Sequence, residues 1–164
     1  MSSSVMELTQ YLTFRLGEEV FALDIAQVKE VLDFTTATRV PRTPDFMRGV
    51  INLRGTVVPV VDLRLKFGMP GTEQTVNTCV IITEILVDRE RTIVGALADS
   101  VQEVIDLDAN QIEPAPRLGT RLNTDFLRGI GKHNNRFVMI LDINQVFSSD
   151  EIASIQGEES GSVS

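Results

Sequence analysis

Residues 45–67 read DFMRGVINLRGTVVPVVDLRLKF. Apolar residues lead up to the Asn52-Leu53-Arg54-Gly55 corner, and Val57, Val58, Val60, Val61, Leu63 and Leu65 follow it. A β-branched run on both sides of a Gly-containing corner predicts a hairpin of two strands and a tight turn. Before it, Pro44-Asp45-Phe46-Met47 predicts a single turn of helix ended by Gly49. Pro59 has no N–H to give to a ladder, so its strand is expected at a sheet edge or beside a bulge. Arg54 is the exception, a charge at the tip of an otherwise apolar hairpin.

A second copy of this stretch follows. Asp45-Phe46-Met47-Arg48-Gly49-Val50 returns as Asp125-Phe126-Leu127-Arg128-Gly129-Ile130. Val58, Val60, Val61, Asp62 and Leu63 return as Val138, Ile140, Leu141, Asp142 and Ile143, the same shift of 80 residues. Upstream, Val28-Lys29-Glu30-Val31-Leu32 matches Val101-Gln102-Glu103-Val104-Ile105 at a shift of 73. Two copies are too few for a solenoid and fit one duplicated β unit packed against itself. Positions common to both copies (Asp45/Asp125, Arg48/Arg128, Gly49/Gly129, Asp62/Asp142 and Glu30/Glu103) are expected to serve the fold. Arg54 is replaced by Asn134 in the second copy and so is special to the first.

Composition narrows the function. The chain has 164 residues, enough for one domain or two small subdomains sharing a core. It is 43% hydrophobic but only 5% aromatic, with no Trp, so Val, Ile and Leu must build that core. The net charge of −8 argues against a nucleic-acid binder, which needs a basic surface. The N-terminus has no secretory pattern, and no run is long and apolar enough for a membrane helix. Cys79 is the single cysteine, which excludes an intrachain disulfide and suits a reducing cytoplasm. In Cys79-Val80-Ile81-Ile82 it reads as a small buried hydrophobe rather than a nucleophile.

In chain order, Tyr11–Leu16 alternates as a half-buried strand, and Val20–Ile25 returns beside it. A short helical turn and a strand near Glu30–Phe34 follow. Residues 68–77, with Gly68, Pro70 and Gly71, form the expected joint between halves. Thr78–Val87 and Thr92–Ala98 make a further hairpin. Ser148 with Glu151 is a capping box opening a short terminal helix on Ile152 and Ile155. The tails, 1–8 and 157–164, are expected to be flexible.

No catalytic constellation emerges. His133, the only histidine, lies in a polar turn, and no spacing of ligand residues suggests a metal. There is no phosphate loop and no nucleophile elbow. Asp62 and Asp142 could tempt as paired carboxylates, but their equivalent positions point to a repeated bond to backbone at a strand end. No cofactor is expected. For Arg54 two readings stand: a solvated turn residue, or an anchor at a protein interface, where arginine is enriched.

VINLRGTVVPVVDLR, the preceding DFMRG, and VGALADSVQEVIDL resemble the CheW family of chemotaxis adaptors, with similarity running from about Tyr11 to Ile155. The resemblance implies a mainly β fold of two SH3-like barrels around a shared apolar core. It places a CheW-like domain at 9–156, divided near 17–76 and 77–147, with room for an exchanged N-terminal strand. No kinase ATP site and no receiver segment accompany the pattern, so a stand-alone member is expected. The resemblance implies a non-catalytic scaffold joining the regulatory domain of the histidine kinase CheA to methyl-accepting chemoreceptors. It would act in the cytoplasm, recruited to receptor arrays through those partners, without nucleic acid and without inserting into the membrane. It also implies an ion pair between Glu30 and Arg54 beside a receptor-binding groove, with Val28, Gly49, Gly95, Val101 and Val104 lining or supporting it. A paralogue serving another chemosensory or twitching-motility pathway is the alternative; a small ligand-binding barrel or enzyme is a more distant one.

Overall fold

The computed structural model describes residues 8–114, 126–147 and 151. Asp125, the Arg117–Thr124 loop, the Ser148 cap, the Ile152/Ile155 face, residues 1–7 and the tail at 157–164 lie outside them. The described chain is mainly β, curled into two sheets. In order come β1 (Thr9–Leu16), β2 (Glu19–Asp24), β3 (Val28–Asp33), β4 (Met47–Leu53), β5 (Thr56–Asp62) and helix α1 (Leu63–Lys66). Then come β6 (Cys79–Val87), β7 (Glu90–Ala98), β8 (Ser100–Leu107), β9 (Ile112–Glu113), β10 (Leu127–His133), β11 (Arg136–Leu141) and helix α2 (Ile143–Val146).

One sheet runs β3-β6-β7-β5-β4 and makes barrel 1; the other runs β8-β1-β2-β11-β10-β9 and makes barrel 2. The sheets therefore interleave along the chain, whereas the sequence reading divides it near residue 76. The duplication explains how. In barrel 1, β5 runs parallel to β7, with Val60 opposite Gly95; in barrel 2, β11 runs parallel to β2, with Ile140 opposite Ala22. Val60 and Ile140 are related by the 80 shift, and Ala22 and Gly95 by the 73 shift. Each copy thus sends its first hairpin, β1–β2 or β6–β7, into the barrel of the other. A whole hairpin is exchanged in each direction, not a single strand.

This arrangement creates three cores. Val58, Val60, Val80, Ile82 and Leu97 fill barrel 1. Tyr11, Ala22, Ile105, Leu107, Val138 and Ile140 fill barrel 2. Between the barrels lies a third, with Leu12, Phe14, Leu16, Phe21, Val61, Leu63, Ile81 and Leu141. A strand next to the junction is buried on both faces, because alternate side chains point into a barrel and into the shared core. β1 is such a strand: Tyr11 and Thr13 are as buried as Leu12 and Phe14, so it is not half-buried as its alternation predicts. Each fully buried Val or Leu contributes about 1.5–3 kcal/mol.

The predicted helical turn at Asp45–Gly49 is not a helix. Met47 already belongs to β4, and Gly49 sits at a bulge in its ladder with φ +149°. A Cβ on Gly49 would stand 2.5 Å from the carbonyl oxygen of Thr38, which pairs with Val50 there. Gly129 sits at the same bulge in β10, against the Glu113 carbonyl. The glycine serves a close backbone approach, not a helix stop. Pro59 is not on an edge, since β5 lies between β4 and β7; of the two expected settings it has the bulge, at Gly49 opposite the neighbouring Val60. Its partner Val50 gives both backbone bonds to Thr38, so the Pro59–Val50 pair exchanges none, and the ladder to β7 starts only at Val60. Proline is tolerated because no acceptor waits for its nitrogen.

Aromatic rings seal the junction. Phe46 packs on Phe147 at 6.1 Å between centroids and Phe67 on Phe126 at 5.5 Å. The 80 shift turns one pair into the other. Lys66 lies in this cluster, 4.9 Å from the Phe46 centroid, 5.5 Å from Phe126 and 5.8 Å from Phe147, and is ion-paired with Glu151.

Candidate functional site

The β4–β5 hairpin closes through Arg54 and Gly55, both left-handed at φ +50° and +89°. A two-residue loop of this type matches the twist of the flanking strands. Asn52 braces it, its Oδ1 accepting from the Gly55 N–H at 2.8 Å. Glycine and asparagine take such a conformation readily; arginine does so at a cost. Across from the turn, β3 presents Glu30. The two Arg54 Nη atoms donate to the two Glu30 carboxylate oxygens, Nη1 to Oε1 at 3.4 Å and Nη2 to Oε2 at closer range. This fork-on-fork pair stands on the surface, with Arg54 70% exposed. The Glu30 hydrogen bond, then its negative charge, push the Arg54 pKa above its ordinary value, so the guanidinium is always charged. Lys29 continues the polar edge with a 3.0 Å bond to Glu84.

The remaining expected residues divide into two groups. Val28 and Val101, related by the 73 shift, both pack half-buried against the core between the barrels. Val104 is 47% exposed on β8, and its equivalent Val31 is 39% exposed on β3. The repeat that relates Val101 to Val28 thus sets Val31 on β3 where β8 carries Val104. Gly49 and Gly95 are buried supports: a Cβ on Gly95 would stand 2.6 Å from Val80 Cγ1. The sheets therefore bring Glu30 and Arg54 into contact and set Val28 and Val101 against one core, while Val104 stands on the other sheet.

Nothing in this surface is arranged for bond chemistry. Among the described residues no group of three His, Cys, Asp or Glu side chains could hold a metal ion. Cys79 is half-buried, its thiol donating to the Asn77 carbonyl at 3.0 Å. Loss of solvation pushes the thiol pKa up, aided by the Asp33 charge and opposed by a backbone hydrogen bond from Val101, which makes it a poor nucleophile. Asp62 and Asp142 cap α1 and α2 through the Arg64 and Asn144 N–H groups, at 3.0 and 3.2 Å. Their repeated position is a backbone role. Among the described residues, no helix is long and apolar enough to cross a membrane.

Residues 10–151 match the family model of the CheW-like domain. The chain belongs to the CheW family. It is 40% identical over 144 residues to the chemotaxis protein CheW of Klebsiella aerogenes, covering 88% of this chain and 84% of that protein. It is 35% identical to the chemotaxis protein CheW of Helicobacter pylori, with the same coverage. The crystal structure of the scaffolding protein TtCheW from Thermoanaerobacter tengcongensis superposes with a TM-score of 0.79 at 34% identity, covering 92% of this chain and 95% of that one. As a CheW protein the chain is a chemotaxis scaffold and not an enzyme, and its two curled sheets are SH3-like barrels.

Proposed function

We propose that this scaffold couples methyl-accepting chemoreceptors to the histidine kinase CheA in the cytoplasm, with Glu30 and Arg54 at the contact and Val28, Val101 and Val104 beside it. One observation supports the placement of the contact above all. Arg54 occupies a left-handed turn position that suits asparagine or glycine better, and it is held there by Glu30 at the surface. A side chain kept against local backbone preference, where its equivalent Asn134 obeys that preference, signals selection for something other than folding. An exposed, oriented guanidinium is suited to anchor a protein partner.

Coupling needs no reactive group. The scaffold holds receptor and kinase together, and a receptor change shifts the kinase between states only as far as the complex binds those states unequally. The test is reconstitution with purified kinase and receptor-bearing membranes. Arg54→Ala is expected to reduce both co-sedimentation of the scaffold and receptor-dependent kinase activity, with little change in thermal unfolding. Co-sedimentation equal to wild type would exclude Arg54 from the contact.

A further inference from the structure

The two barrels carry the same acidic residue at the same place, but among the described residues only Glu30 has a cation paired to it. β8 sets Glu103 where β3 sets Glu30, and the strands they pair with correspond as well. Val28 and Val31 stand opposite Thr83 and Ile81 in barrel 1; Val101 and Val104 stand opposite Phe14 and Leu12 in barrel 2. The hairpin turn that offers Arg54 to Glu30 offers Asn134 to Glu103. Where the first pair closes the rim of barrel 1, barrel 2 keeps a cleft of about 200 Å³ whose lining includes both Glu103 and Asn134.

The cleft is built rather than incidental. Glu103 is exposed, and its backbone is held to the buried Thr13, its N–H donating to the Thr13 hydroxyl oxygen at 3.1 Å and its carbonyl accepting from that hydroxyl at 2.8 Å. Val20 and Val138 supply apolar wall against which a methylene stem can lie. Among the described residues no ion pair reaches Glu103, although Arg136 and His133 line the same cleft. Arg136 is exposed and can turn to water when another cation arrives.

We propose that this cleft receives an arginine side chain of a partner protein, which supplies from outside the guanidinium that Arg54 supplies from within in barrel 1. The net charge of −8 favours approach of such a basic segment. The cleft lies on the other barrel from the Glu30–Arg54 pair, though on the strand that carries Val101 and Val104, and its test reads Glu103 without requiring that pair.

The test is an NMR titration of the full ¹⁵N-labelled chain with Nα-acetyl-arginine amide and, in parallel, its neutral citrulline analogue. The arginine compound is expected to give a saturable shift of the Glu103 and Asn134 amides that the citrulline compound does not. That response is expected to be lost in Glu103→Gln, which removes the charge, and in Asn134→Arg, which fills the cleft from within. The turn can accept the second change, because barrel 1 already carries arginine at that backbone position; cooperative unfolding at a slightly lowered melting temperature would confirm it. Absence of a saturable response in the wild type, an equal response to citrulline, or a response surviving in folded Asn134→Arg would each overturn the proposal.

Discussion

Asp62 and Asp142 stand at the same point of the two copies, yet their surroundings differ. Both end a strand and cap a short helix, and the N–H of each donates to the carbonyl of an equivalent phenylalanine, Phe46 at 2.7 Å and Phe126 at 2.9 Å. Beyond that the copies part. Asp62 is fully buried and accepts from the Thr72 N–H and hydroxyl, both at 2.9 Å, and from Arg48 at 3.3 Å. Asp142 is half-buried, and the arginine equivalent to Arg48 turns away: Arg128 lies 3.6 Å from Asp24 instead. What persists in both is the backbone junction between strand and helix. What differs is side-chain chemistry added on top, in one copy to bind the following segment down and in another place, at the rim, to present a charge.

The largest expected effect tests the shared part. Val60 and Ile140 are equivalent and wholly buried, one in each barrel. Val60→Asp and Ile140→Asp should each abolish cooperative unfolding as read by circular dichroism, since either places an unpaired charge in a closed core. If one barrel survived the loss of the other, the exchanged hairpins would not be coupling them. Next comes the unequal pair. Asp62→Ala strands two Thr72 donors, while Arg48 keeps its bond to the Thr72 carbonyl, and should cost about 2–4 kcal/mol in a denaturant titration. Asp142→Ala removes a helix cap and should cost about 1 kcal/mol. Equal losses would mean that the buried network adds nothing to the cap. Between these falls Gly95→Ala, expected to cost about 1–3 kcal/mol because Val80 must move aside. Its equivalent in barrel 2 is already alanine, Ala22, so the penalty measures how far local packing has diverged.

The hairpin at residues 47–62 and the duplication were legible in the sequence. Strand alternation marks which residues share a face, but not which sheet a strand joins, so the exchange of hairpins between copies escaped a split drawn along the chain. The two-sided burial of Tyr11 and Thr13 has the same origin, in a neighbour far away in sequence. Gly49 misled because a glycine after a short polar-apolar run also ends helices; only the approach of Thr38 explains it. The Glu30–Arg54 pair was reached through family resemblance, since a glutamate on one strand and an arginine on a distant turn show no spacing of their own. What the residues themselves offered was the mismatch between Arg54 and its turn.

That mismatch gives the smallest effect on stability and the sharpest separation of the two barrels. Arg54→Asn makes the turn of barrel 1 copy that of barrel 2, where Asn134 and Asn135 take φ +53° and +64°. The substitution relieves an unfavourable backbone choice and removes a surface ion pair, which stabilises little. The two changes oppose each other, so the melting temperature should stay the same or rise slightly. Association with kinase or receptor should fall, because the guanidinium is gone while the turn is intact. A stability gain with a binding loss is the signature of a residue kept for its partner. If instead the melting temperature dropped substantially and binding held, Arg54 would be a staple between β3 and the hairpin, and the contrast between the two rims would belong to folding alone.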